Sequence, residues 1–313
     1  MRVFVAGATG AIGRPLISRL VAAGHDVVGM TRAADRAAAI RAAGAEAAVC
    51  DVFDRDRLHA AVADARPEVV VHQLTALPAL IDPRKESTYA ATNRLRTEGT
   101  RLLLDAAEAA GARRVVAQSV AFLYAPTGGW VKSEGDPVMR GVSGPLGGGL
   151  SALADLEGQV LAWDEGIVLR YAFFYGPGTS YAADGPYARE VRRRRFPIVG
   201  DGAGVFSFIH VDDAASATVA AVERGAGGIY NVADDDPAPM REWLPEYAAA
   251  IGARRPFRVP RWIARIAAGS ATAAMATSLR GASNAKAKAE LGWQPAIPSW
   301  RRGFREALRV NGE

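Results

Sequence analysis

Short apolar runs alternate with stretches of helical spacing from the first residues of the chain. Residues 2–6 form an apolar run, residues 14–23 place Leu16, Ile17, Leu20 and Val21 on one helical face, and residues 25–30 form a second run. The alternation continues through strand-like segments at 47–52, 69–73, 114–119 and 167–174 and a long helical segment at 89–110. Runs that are continuously apolar suit strands buried on both faces. The pattern therefore predicts an α/β fold, a doubly wound parallel sheet covered by helices. From Tyr175 onward glycine, proline and aromatic residues become more frequent, and helical spacing returns at 240–251, 262–274 and 285–291. The expected division is a domain over residues 1–170, with contributions from about 205–233, and a smaller C-terminal α/β lobe over 171–313. Residues 141–149 are rich in glycine and are expected to form a mobile loop over the cleft between them.

The first run leads into Gly7-Ala8-Thr9-Gly10-Ala11-Ile12-Gly13 and then into the first helix. Gly7 allows a tight turn, Gly10 lets backbone approach a pyrophosphate, and Gly13 lets helix and strand pack closely. The helix start offers free N–H groups to the anion. A dinucleotide is thus expected across Gly7, Thr9, Gly10, Ala11, Ile12 and Gly13. The second run ends in Thr31-Arg32, where an NAD-selective site places an acid on the ribose hydroxyls. Arg32, joined by Arg36 one helical turn on, suits a 2′-phosphate instead, so NADP is expected over NAD. Asp51 and Val52 follow the third run as adenine contacts, and Leu74, Thr75 and Ala76 follow the fourth. Phe173 completes the expected cofactor lining.

Composition narrows the function class. The chain has 313 residues, half of them hydrophobic, and a single cysteine, Cys50, which excludes an intramolecular disulfide and reads as a small buried residue. No metal-ligand spacing is evident. The chain shows no signal-peptide pattern and no apolar run near the ~18 residues of a membrane span, so a cytoplasmic protein without membrane partners is expected. The net charge of +5 and the run Arg192 to Arg195 raise the question of nucleic acid. That run ends a helical segment, where positive charge complements the dipole, and no aromatic platform accompanies it. A basic rim that draws in an anionic small-molecule substrate fits better than nucleic acid.

In sequence order, these residues resemble the extended short-chain dehydrogenase/reductase superfamily, in its epimerase/dehydratase-like branch. The resemblance rests on the glycine turn, Asp51-Val52, Asn93 with Glu98-Gly99-Thr100, Leu169-Arg170, Tyr175-Gly176-Pro177-Gly178, Phe208 to Asp213, Tyr230-Asn231-Val232 and Ala287 to Pro295. It implies a Rossmann domain, a substrate lobe and a homodimer. It also implies a tyrosine assisted by a lysine four residues later, which exchanges a proton with the substrate, and a hydroxyl that holds the substrate oxygen.

Here the chain departs from the pattern. No tyrosine or lysine occurs between Lys132 and Tyr171. Matching the family's helix glutamate to Glu157 puts Gly149 and Leu153 at the paired positions, and a shift by one gives Leu150 and Ala154. The hydroxyl position, four residues before Tyr124, is Val120, with Ser119 beside it. The arginine that binds a diphosphate in sugar-nucleotide relatives is Phe206, so an apolar or aromatic substrate is expected, with Trp130, Phe173, Phe174, Tyr175 and Phe206 as candidate lining. The remaining candidates for catalysis are Tyr124, Tyr175 and Ser119, with Lys132 as a helper of Tyr124 and Gln118 or Ser151 as oxygen-binding groups. His210 reads as structural, Asp212-Asp213 as caps of a helix beginning near Ala214, and Asp155 and Glu157 as surface charges. The expected function is an NADP(H)-dependent oxidoreductase acting on a small apolar or aromatic carbonyl or enone with a non-standard proton donor. A redox-neutral isomerase, epimerase or cyclase with structural NADP, and a non-enzymatic NADP-sensing binding protein, are the alternatives.

Overall fold

The structure, a computed structural model, describes residues 1–78, 80–82 and 84–308. Seven parallel strands form its central sheet, in the order Gly228–Val232, Glu165–Tyr171, Arg114–Val120, Val69–His72, Arg2–Ala6, Asp26–Thr31, Glu46–Val49. The chain starts in the middle, winds to one edge, returns, and winds to the other. The reversal falls between Arg2–Ala6 and Val69–His72, which opens a crevice at the strands' carboxyl ends. This is the α/β sheet that the apolar runs predicted.

The first strand shows why its sequence is continuously apolar: Val3, Phe4, Val5 and Ala6 are all fully buried. Side chains alternate between faces along a strand. Val3 and Val5 join Leu16, Ile17 and Leu20 of helix Gly13–Ala22 and the alanines of helix Val211–Glu223. Phe4 and Ala6 join Leu58 and Val62 of helix Arg55–Ala65 and Leu103 and Ala107 of helix Thr100–Ala109. A third apolar cluster, built around Phe206, Phe208, Trp243, Tyr247, Trp300 and Phe304, lies in the later half of the chain.

Three expected elements differ. The long helix at 89–110 is interrupted: α-helical Ala90–Arg94 passes into a π-helical turn at Leu95–Gly99 before Thr100–Ala109 resumes. The segment at 262–274 is two helices, Arg261–Ala268 and Ser270–Ser278, parted by Gly269 at φ +89°. Residues 141–149 are not a loop throughout, because helix Gly144–Leu161 already begins inside them. Glycine is a poor helix former, yet close packing overrides propensity here. A Cβ on Gly147 would collide with the Val142 carbonyl, and one on Gly149 would sit 3.4 Å from the Tyr89 ring. Among the described residues, no helix is long and apolar enough to cross a membrane.

Candidate active-site cleft

A cleft of about 310 Å³ opens at the carboxyl ends of the central strands. Residues at or just beyond the ends of four strands line it: Gly10 to Gly13, Gln73 to Thr75, Gln118 to Val120, and Ala172 to Phe174. The glycine turn forms one end. Gly7 adopts φ +95°, a Cβ there would lie 2.7 Å from the Gln73 backbone, and a Cβ on Gly13 would strike the Gly7 carbonyl. The following helix has no side-chain cap at its N-terminus; the Arg14 N–H is held by the Gly10 carbonyl at 3.2 Å and Pro15 has none, so the N–H groups of Ala11, Ile12 and Gly13 are the ones that face an anion. Thr9 lies within this turn and its carbonyl accepts from Arg14 Nε at 3.2 Å.

The turn fits a dinucleotide pyrophosphate. Arg32 and Arg36 are both exposed, and neither guanidinium has an ion pair or hydrogen bond among the described residues. Asp51 is exposed, with its carboxylate holding the Phe53 N–H at 3.0 Å, and Val52 is buried beside it. Leu74 and Thr75 line the cleft, whereas Ala76 does not; its N–H donates to Thr92 Oγ1 at 2.7 Å. The Leu74 N–H donates to His72 Nδ1 at 3.2 Å, and His72 Nε2 lies 3.0 Å from Thr100 Oγ1. His72 is fully buried, and desolvation, followed by repulsion from Arg96, lowers its pKa to about 4. It is a neutral brace for the backbone.

The opposite wall is aromatic. Phe122 and Phe173 stack at 4.5 Å with 11° between their planes, and Phe174, Tyr171, Tyr181 and Tyr187 complete it. Burial raises the pKa of Tyr171 and Tyr187 to about 12 and pushes that of Tyr181 well up. The Tyr171 hydroxyl is already engaged, 2.7 Å from Thr218 Oγ1 and 3.3 Å from Gln73 Nε2. None of these phenols is an acid tuned toward neutrality.

The sequence candidates for catalysis separate in space. Ser119 lines the cleft, but its hydroxyl donates to Glu157 Oε1 at 2.6 Å. Glu157 is buried rather than a surface charge: Arg170 binds it with Nε at 2.9 Å and Nη2 at 2.7 Å. Arg170 also donates to the Tyr124 hydroxyl at 3.2 Å, and that hydroxyl donates to Asn231 Oδ1 at 2.6 Å. Tyr124 is thereby fixed outside the cleft lining, and burial raises its pKa. Lys132 does not fold toward it; it is buried in an ion pair with Asp136 at 3.1 Å. Tyr175 is also absent from the lining. It packs edge-on against His210 and Phe304, its hydroxyl is buried without a partner, and desolvation drives its pKa far up.

Other expectations are corrected in the same way. Phe206 fills the aromatic core against Phe173 and Trp243, Trp130 is exposed under Arg280, and Ser151 faces solvent. His210, not Asp212-Asp213, caps helix Val211–Glu223 by accepting the Asp212 N–H, while Asp213 accepts from the Ala296 and Ile297 N–H groups. Gln118 does line the cleft. Cys50 is buried, and desolvation raises its pKa to about 11, consistent with an inert thiol.

Two features were not legible in the residues alone: the buried Ser119–Glu157–Arg170–Tyr124–Asn231 chain, and Arg96. Arg96 lines the cleft and is 7% exposed. Its signal was a charge within the buried stripe Thr92, Arg96, Thr100, Leu103.

Comparisons with known proteins agree with this architecture. Residues 7–143 match a family model described as NAD(P)H-binding, and residues 158–233 match the NAD dependent epimerase/dehydratase family. The chain is 49% identical over 306 residues to a 3-diazoavenalumate denitrifying reductase from a Streptomyces species, covering 97% of this chain and 99% of that one. Its fold is shared with a UDP-glucose 4-epimerase of Thermotoga maritima solved with UDP-glucose, at a TM-score of 0.77 and 20% identity, covering 98% and 97% of the two chains. A human epimerase family protein solved with NADPH aligns at a TM-score of 0.75 and 22% identity, covering 98% and 99%.

Proposed function

The chain belongs to the epimerase/dehydratase-like branch of the extended short-chain dehydrogenase/reductase superfamily and is an NAD(P)-dependent oxidoreductase of that type, and on that premise we propose that it uses NADPH to reduce an aromatic diazo acid with loss of dinitrogen. The observation that carries this reading is that burial raises the pKa of each phenol lining the cleft, Tyr171, Tyr181 and Tyr187, so that none of them is poised to donate a proton near neutral pH. Carbonyl reduction needs such a donor, because hydride addition leaves an alkoxide. When bound, the dihydronicotinamide supplies a hydride, and for an arenediazonium the balance is Ar–N2⁺ + H⁻ → Ar–H + N2, with the C–N electron pair leaving in N2 and no proton consumed. The Streptomyces relative, named for a denitrifying reduction of a diazo acid, supports that substrate class.

The chain's own residues suit this task. Gly10 to Gly13 would receive the pyrophosphate, and Arg32 and Arg36, unpaired among the described residues, favour a 2′-phosphate. The Phe122–Phe173 stack offers an apolar wall to an arene. Ser119, with its proton committed to Glu157, presents only lone pairs. Lone pairs suit a cationic diazonium group and fail an oxyanion, which needs donors. These features favour a diazo arene over the aromatic carbonyl or enone expected from sequence.

The test is to follow NADPH consumption and N2 release with a carboxylate-bearing arenediazonium salt and with the corresponding aryl ketone, against enzyme-free controls. Deuterium at nicotinamide C4 is expected to appear on the arene, and solvent deuterium is not. Preferential ketone turnover, or ring deuterium drawn from D2O, would overturn the proposal.

A further inference from the structure

Arg96 has no counter-ion among the described residues. The three arginines around the π-turn differ: Arg94 is exposed and pairs with Glu98 at 2.7 Å, and Arg101 is exposed and pairs with Asp105 at 3.5 Å. Arg96 is 7% exposed, yet its guanidinium meets no carboxylate and donates no hydrogen bond among the described residues. It is also the one charged side chain among the described residues that line the cleft. Around it stand neutral groups: His72, uncharged at neutral pH, and Tyr89, whose pKa burial raises. The π-helical turn at Leu95–Gly99 carries Arg96 inward, and such turns cost helix regularity and recur at functional sites. Desolvation lowers the Arg96 pKa to about 10, which leaves the side chain charged at neutral pH.

A buried charge without a partner is costly, and proteins normally pair it. Here the partner must come from outside the chain. We infer that Arg96 is the receptor for the anionic group of the substrate, gripping a carboxylate while the aromatic body of the same molecule lies against Phe122 and Phe173. A guanidinium fork matches a carboxylate with two parallel hydrogen bonds. The second anion this cleft would receive is the cofactor pyrophosphate. The glycine turn and the uncapped helix start already answer that charge, which leaves Arg96 for the substrate.

The inference rests on the reductase reading for the identity of the reacting group, but its test does not. Cinnamate and cinnamamide share an aromatic body and differ in charge. Titrated into the full-length protein saturated with NADP⁺, cinnamate is expected to bind about 10- to 100-fold more tightly than cinnamamide, the span of a charge-assisted hydrogen-bonded pair. In Arg96→Gln that preference disappears, in Arg96→Lys part of it returns, and the NADP⁺ affinity stays as it was. Equal binding of cinnamate and cinnamamide by the unaltered protein overturns the inference without any variant. Loss of NADP⁺ affinity in Arg96→Gln with the cinnamate preference intact also overturns it, by assigning Arg96 to the cofactor. If cinnamate recognition depends on Arg96 while no diazo compound is turned over, the receptor stands and the diazo reading falls. Diazo turnover with cinnamate binding indifferent to Arg96 keeps the diazo reading and removes the receptor.

Discussion

Replacing Glu157 with glutamine isolates what the buried network contributes. The carboxylate accepts two hydrogen bonds from Arg170 and one from Ser119, and the paired side chains are only 10% and 4% exposed. Burial opposes the Arg170 charge, but the hydrogen bonds and attraction of Glu157 hold its pKa above the ordinary arginine value. Glu157→Gln removes the negative charge and leaves the guanidinium desolvated. Breaking one side of such a pair costs about 3–5 kcal/mol. With unfolding entropy near ~2.1 cal/mol/K per residue, a chain of 313 residues loses roughly 0.66 kcal/mol per degree, so Tm should fall by about 5–8 °C. Differential scanning calorimetry measures this directly. The double change Glu157→Leu with Arg170→Met removes both charges and should recover most of the loss. A Tm for Glu157→Gln within about 1 °C of the parent would refute the reasoning, as would a double variant no more stable than the single one.

Arg32→Ala combined with Arg36→Ala should weaken NADPH binding by about 10- to 100-fold and leave NADH binding unchanged, as read by cofactor fluorescence; equal losses for both cofactors would remove the 2′-phosphate assignment. Tyr175→Phe deletes a buried hydroxyl that has no partner and should leave Tm equal or higher, whereas Tyr124→Phe breaks the bond to Asn231 and should cost about 1 kcal/mol. Both variants should transfer hydride at near-parental kcat, and a loss of roughly 10²-fold in either would return that phenol to the chemistry. For His72, the folded pKa of about 4 lies below the ordinary 6.5. The unfolded chain therefore binds the proton first, and stability falls as the pH drops from about 6.5 to about 4, by roughly 3 kcal/mol in all. Tm measured against pH should slope through that window and flatten in His72→Gln; parallel profiles would exclude His72 as the source.

Much of the cleft's backbone was legible because its signals are local. A glycine turn between an apolar run and a helical face is read from the consecutive residues 2–23, and the cleft lining at Leu74, Thr75, Ser119 and Phe173 follows from their positions at strand ends. The side-chain chemistry was not legible in the same way. Position after a strand nominated Tyr124 and Tyr175, but Asn231 and Arg170 hold the first, and the second is buried against His210 and Phe304. Glu157 read as a surface charge because nothing nearby in the chain shows Arg170 and Ser119 closing on it.

The sequence by itself determined the parallel sheet, the glycine turn and the absence of tyrosine and lysine between Lys132 and Tyr171, since each is a matter of periodicity, of one backbone conformation, or of residues simply not present. Only the tertiary structure decided which charges are paired. That depends on desolvation and on partners that the fold brings together: Glu157 with Arg170 across a helix and a strand, and Arg96 with no partner among the described residues. The same arginine type is a solvated surface charge at Arg101 and an unanswered buried one at Arg96, because burial and the neighbours within hydrogen-bond reach fix its energy, and no sequence window contains either.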